Sequence, residues 1–191
     1  MFRMCEAKVL YAGEYEEDSF VLIDGLGDRE ERGEVLRILM ECDKDFCPPL
    51  SRREGTSQKN LRKAAGGGVE LYFEEMAGQP TLLWKRNGRV IAFLSFRMHD
   101  VCEEISSCKD VCYFTTICVR RPFRGQGLAA VLYHTAEVFI RKEYPDTILA
   151  LRTWSTNEAQ LHLMKKMGFE EKVVLRNDRG PGIDTIYFVK Q

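Results

Sequence analysis

The stretch from Thr115 to Leu132, TTICVRRPFRGQGLAAVL, constrains the fold more than any other part of the chain. It opens rich in Thr, Ile and Val, whose β-branched side chains favour an extended, pleated backbone. It closes as a helix, because Leu128, Leu132, Ala136 and Phe139 recur at a period near 3.6, with Val131 and Val138 widening the apolar stripe. Between strand and helix, Gly125 and Gly127 remove side chains where a backbone must bend sharply or come close to a ligand. The first amides of the following helix have no internal acceptors, and the helix dipole adds partial positive charge there. With Arg124 able to supply a full charge, the loop reads as a site for a phosphate or pyrophosphate.

The remaining composition narrows the class. A chain of 191 residues with 45% hydrophobic and 30% charged content is that of an ordinary globular protein with one sizeable core, most simply a single domain over 1–191. The formal net charge is -1 with both signs interspersed, so no nucleic-acid or membrane footprint is expected. No stretch is apolar for long enough to span a bilayer, and charged residues follow Met1 too soon for a signal peptide, so the expected location is the cytoplasm. The 7 cysteines form an odd set without a Cys-x-x-Cys pair and read as free thiols. Cys102, Cys108 and Cys112 are spaced too loosely for a structural zinc site, so no metal is expected.

Taken in order, the chain reads as mixed α/β. Phe20 to Ile23 is a short strand, followed by a helix capped by Asp28 whose apolar face is Val35, Ile38, Leu39 and Cys42. Pro48-Pro49 breaks the chain, Thr56 opens a second helix reaching Ala65, and Gly66 to Gly68 form a joint. Glu70 to Ala77 leans helical, for a turn or two, on its Glu, Leu and Met content. Asn87-Gly88 between Thr81–Lys85 and Val90–Arg97 is a hairpin signal, since a type I′ turn needs positive φ at both central positions. A polar linker from His99 to Asp110 leads into a strand over Val111–Val119. After the helix stops near Lys142 before Pro145, Thr147 to Leu151 is a fully apolar strand. A right-handed crossover of this kind places the two strands parallel in one sheet. Ser155 to Phe169 is a capped helix ended by Gly168, and Val173–Leu175 with Asp184–Val189 close the chain as paired strands.

Arg124-Gly125-Gln126-Gly127-Leu128-Ala129 resembles the Arg/Gln-x-x-Gly-x-Gly/Ala motif of the GNAT superfamily of N-acetyltransferases, in the strand-loop-helix context that family uses. A dinucleotide fold fits poorly, because the motif lies past mid-chain and Glu143, the acidic residue downstream, falls at a helix end. The segment from Asn157 to Gly168-Phe169 is similar to the family's next signature, so the resemblance covers roughly 80–190. It implies an α/β single domain with a central, mixed, mostly antiparallel twisted sheet, a splayed parallel strand pair at its centre and about four flanking helices. It also implies an enzyme that transfers an acetyl group from acetyl-CoA to a primary amine of a small molecule or peptide.

The same resemblance implies the site. The pyrophosphate would lie on the amides from Arg124 through Gly125, Gln126, Gly127 and Leu128 to Ala129, and the pantetheine arm beside Ile117, Cys118 and Val119. The Ile117 amide would polarise the thioester carbonyl, and Asn157 would meet the pantetheine arm, cap its helix, or both. The family's usual acid, a tyrosine four residues before the Gly of the Gly-Phe pair, is replaced by Met164, which cannot donate a proton. The strand Val111–Val119 carries no carboxylate; Tyr113 and the thiols of Cys112 and Cys118 are its only titratable side chains. Tyr113 is therefore a candidate to orient a water, although a packing role suits a strand tyrosine better. Asp100, Glu103, Glu104 and Asp110 are candidates to receive a cationic amine, or plain solvated residues. His99 and His134 carry no catalytic signal, and direct attack is expected rather than a covalent relay through Cys118. The irregular stretches 46–57 and 99–110 are expected to shape the acceptor site. The missing acid also admits a second reading, a non-catalytic or regulatory acyl-CoA-binding module of the same fold. A homodimer is compatible with the sequence.

Overall fold

The computed structural model describes residues 5–7, 17–57, 68–105 and 110–191. By contact density the chain forms two compact units, one built from residues 1–95 and 116–133, the other from 96–115 and 134–191.

In the first unit, strands β1 (Cys5–Ala7), β2 (Asp18–Ile23), β3 (Thr81–Arg86) and the start of β4 (Arg89–Asp100) run in that order, followed by the end of β5 (Val111–Val119). The first three junctions are antiparallel. The β3–β4 turn forms as expected, with φ of 50° at Asn87 and 76° at Gly88. β1 carries no sequence signal of its own; it exists because β2 offers its edge, pairing Cys5 with Leu22 and Ala7 with Phe20.

Helix α1 (Arg29–Cys42) begins where the cap predicts: Asp28 Oδ1 accepts from the amides of Glu30 and Glu31, both at 2.9 Å. Its buried face is the expected set Val35, Ile38, Leu39 and Cys42. Helix α2 (Gly68–Ala77) is longer than the expected turn or two. Val69, Tyr72, Phe73 and Met76 fall at i, i+3, i+4 and i+7 and are all buried, so packing extends what composition only suggested. These faces meet Leu83, Val90, Phe93 and Cys118 in one core cluster. Each such side chain contributes about 1.5–3 kcal/mol when fully buried. The expected helix from Thr56 to Ala65 lies mostly outside the described residues; Thr56 itself holds the Glu75 carboxylate through its amide at 3.0 Å and its hydroxyl at 2.6 Å.

In the second unit the strand order is β4, β5, β6 (Ile148–Trp154), β8 (Thr185–Lys190), β7 (Glu170–Leu175). β5 and β6 are parallel from Val111–Ile148 to Phe114–Leu151, where their pairing ends although both strands continue. β6 outlasts its apolar run because Arg152, Thr153 and Trp154 go on pairing with β8. Helix α3 (Leu128–Glu143) spans the length expected from the periodicity, and Leu128, Leu132, Tyr133, Ala136 and Ile140 are its buried positions. Val138, expected on the apolar stripe, is 55% exposed: the helical drift carries it past the edge of the buried arc. Helix α4 (Glu158–Lys166) is capped by Asn157 and followed by Gly168 at φ 79°. Four α-helices thus flank the strands among the described residues, as expected.

One surface network gives a pH test. Glu137 on α3 accepts from Arg141 Nε at 3.1 Å and from Lys190 Nζ at 2.7 Å. Burial works to raise its carboxyl, but these hydrogen bonds outweigh it and hold the group below the ordinary glutamate range. A carboxylate depressed by folding contributes stability above its unfolded pKa and loses it as pH falls through the folded value. The melting-temperature gap between the parent and Glu137→Gln is therefore expected to be widest near neutral pH and to close as the pH falls below the ordinary glutamate range.

Candidate active site

The loop between β5 and α3 is built by a short 3₁₀ turn, Arg121–Phe123, into which Pro122 fits at the start. The turn is closed by Phe123 N to Arg120 O at 3.0 Å and Arg124 N to Arg121 O at 3.2 Å. Gly125 and Gly127 then take φ of 74° and 82°, and a Cβ built at either would meet nothing within 4 Å. The glycines are required by backbone conformation, and the loop faces open space. Past them, Ala130 N and Val131 N both bond Gly127 O, at 3.0 and 3.3 Å. The amides of Gly127, Leu128 and Ala129 have no acceptor among the described residues. Three donors without an internal acceptor at the N-terminus of a long helix form an anion cradle, and its donor set fits the pyrophosphate of a nucleotide cofactor.

Arg124 does something that its position in the motif does not announce. Its Nε bonds Val119 O at 2.9 Å, one terminal nitrogen lies 3.0 Å from Cys42 Sγ, and the other pairs with Asp45 at 2.8 Å. The guanidinium ties the loop to the end of α1 and shares its charge with Asp45. A hydrogen bond from the Cys118 thiol, assisted by Arg124 and opposed by burial, holds the Cys42 thiol below the ordinary cysteine range. Burial and the bond to Cys42 push Cys118 well up. Arg121 adds a second link, its side chain donating to Glu41 O at 3.1 Å.

Because the Arg124 charge is already compensated, two opposite outcomes are expected in calorimetric titrations with acetyl-CoA at low ionic strength. Arg124→Gln leaves Asp45 unpaired beside the anion cradle and weakens binding about tenfold, whereas Asp45→Asn releases the guanidinium charge and tightens it about threefold.

Ile117 and Val119 are half-buried, while the Cys118 side chain is buried in the α1–α2 core. Thr116, beside Ile117, hydrogen-bonds the Tyr72 hydroxyl of α2 at 2.7 Å. The sequence carried no signal for this contact, since the partners lie 44 positions apart.

In the second unit, Asn157 caps α4 through its Oδ1, at 3.4 Å from Gln160 N, and its Nδ2 bonds Thr153 Oγ1 at 3.1 Å. Met164 is fully buried. Tyr113 is also buried, its ring 5.4 Å beneath the Arg97 guanidinium, and burial pushes its hydroxyl up to about 12. Of the acidic residues expected to meet an amine, Asp100 pairs with Arg97 at 2.8 Å, Asp110 with His99, and Glu104 accepts from the Cys102 thiol at 3.2 Å. His134 is exposed on α3.

The model of the acetyltransferase (GNAT) family matches residues 39–169, more than half of the chain. The chain belongs to the GNAT acetyltransferase family, whose members draw their acyl group from acetyl-CoA. Solved structures share the fold. An N-acetyltransferase from Staphylococcus aureus Mu50 superposes with a TM-score of 0.62 at 17% identity, covering 90% of this chain and 98% of that one. A GNAT-family acetyltransferase from Streptococcus pneumoniae gives 0.60 at 17% identity, with 90% and 98% covered. A Salmonella typhimurium protein solved with its cofactor acetyl-CoA gives 0.60 at 15% identity, with 90% and 93% covered. No curated protein sequence matches the chain. No helix among the described residues is long and apolar enough to cross a membrane.

Proposed function

We propose that the chain, acting as one acyl-CoA-binding domain, transfers the acetyl group of acetyl-CoA to a primary amine of a small molecule or peptide by direct attack. The observation that carries this is the cradle of free amides at Gly127, Leu128 and Ala129, formed by two glycines at positive φ in front of α3. In this reading the pyrophosphate rests on that cradle. The pantetheine arm follows Ile117 and Cys118, while Asn157 caps α4. Val119 offers less, because its carbonyl is taken by Arg124.

The acceptor nitrogen forms its bond to the thioester carbon as the carbon–sulfur bond breaks. Charge developing on the carbonyl oxygen is stabilised by the Ile117 amide, a backbone donor that costs no reorganisation. A relay through Cys118 is disfavoured, since its thiol is buried and pushed well above the ordinary range. Buried Met164 supplies no proton, so coenzyme A leaves as the thiolate, a tolerable leaving group, and the proton shed by the amine nitrogen as the amide forms passes to solvent.

The test is calorimetric titration with acetyl-CoA together with thiol release across a broad amine panel. Binding with turnover of at least one amine supports the reading. Absence of both heat and thermal stabilisation with acetyl-CoA would overturn it. Binding without thiol release from any amine would favour the non-catalytic module, the reading that buried Met164 motivates.

A further inference from the structure

The second unit holds two buried tyrosine hydroxyls that its own residues do not satisfy. Tyr113 is 2% exposed and Tyr187 fully buried, and neither Oη has a hydrogen-bond partner among the described residues. They are not scattered. Both belong to one cluster with Ala150 and Val189, and the register explains why. Tyr113 is opposite Ala150 on β6, Ala150 is opposite Val189 on β8, and Arg152 is opposite Tyr187. Side chains of register partners, and of residues two apart on a strand, share a face. Tyr113, Ala150, Arg152 and Tyr187 therefore stand on one face, and Ala150 contributes only a methyl group between its larger neighbours.

A buried hydroxyl without a partner is costly enough that native interiors rarely leave one, and two in one cluster point to a ligand rather than to imperfect packing. The surrounding charge says which kind. Arg152 acts electrostatically on both hydroxyls, Arg97 stacks on the Tyr113 ring at 5.4 Å, and Arg179 also acts on Tyr113. Against these cations stand Glu104 and the Cys102 thiol, with Asp100 paired to Arg97. A phenol donates one hydrogen bond, and an ionised carboxylate accepts several while offering none. Two phenols and a guanidinium on one face match it, whereas an ammonium group would be repelled by the arginines.

We propose that Tyr113, Tyr187 and Arg152 seat a carboxylate of the acceptor, so that the substrate is an amine bearing an acid, of the amino-acid type. This rests on the acetyl-transfer reading above and names its acceptor class.

The test compares, on the full chain, the protein amino acids with their decarboxylated amines, following coenzyme A release. The acid-bearing member of a pair is expected to be preferred by about tenfold or more in kcat/KM. Tyr187→Phe and Arg152→Gln should each raise KM for it about tenfold, so that its advantage over the decarboxylated amine shrinks. Without ligand, Tyr187→Phe should melt at or above the parent's temperature, because it removes an unsatisfied hydroxyl. Equal use of both members of each pair overturns the proposal. So does a lowered melting temperature in Tyr187→Phe with unchanged KM, which would mean that a buried water alone satisfies the hydroxyl. If acetyl-CoA itself neither binds nor is consumed, the acetyl-transfer reading fails separately. The carboxylate seat is then judged by amino-acid binding in chemical-shift titrations. Binding that is lost in Arg152→Gln upholds it, and no binding in the parent overturns it.

Discussion

Gly127→Asp is expected to abolish measurable acetyl-CoA binding while leaving the protein folded. Gly127 sits at φ 82°, and a Cβ there meets no other atom within 4 Å, so the substitution brings no clash within the protein itself. Aspartate tolerates the left-handed region better than most residues, and the fold should lose only about 1 kcal/mol. The ligand is affected more. A carboxylate placed on the amide cradle fills the space of the phosphate oxygens and repels them. At roughly 4 Å, two unit charges interact by about 4 kcal/mol in a partly screened site. A rise in Kd of about 10²–10³ follows, read by calorimetry. Gly127→Ala separates the causes: it carries the backbone strain without the charge and should weaken binding about tenfold or less. If Gly127→Asp bound acetyl-CoA like the parent, the cradle would not be the donor site.

Phe93→Ala is expected to produce the largest loss of stability among single substitutions in the first unit, about 3–5 kcal/mol in urea denaturation. Phe93 lies in β4, opposite Leu83, and is fully buried in the cluster formed with α1 and α2. The ring cannot be replaced by relaxation of its neighbours, because they belong to a sheet on one side and two helices on the other. Total stability of a domain is commonly about 5–15 kcal/mol, so the variant should sit close to its unfolding threshold. Val138→Ser is the matched comparison. The sequence pattern ranks Val138 with the buried stripe of α3, but at 55% exposure its loss should change stability by no more than about 0.5 kcal/mol.

These two substitutions show where sequence reasoning carries and where it stops. Asp28, Asn87-Gly88, Gly127, Asn157 and Gly168 each act within a few residues of themselves. A cap bonds the next turn's amides, and a positive φ is a property of one residue, so these features can be read locally and the structure has them all. Helix faces were legible to the same degree, except at their margins. Period alone places Val138 beside Val131, but only the packed neighbours decide how wide the buried arc is.

The chemistry of the site divides along the same line. The sequence alone determined that a strand ends at Val119, that two glycines turn the backbone, and that a helix begins at Leu128 with free amides, because torsional preference and hydrogen-bond geometry are local. Only the tertiary structure decided that Arg124 is spent on Cys42 and Asp45, about 80 positions away, and that the Tyr113 and Tyr187 hydroxyls share a buried face with Arg152. Such groups are brought together by sheet register and helix packing, which sum weak preferences over the whole chain. No pattern within a short window records which distant side chain a guanidinium or a phenol will meet.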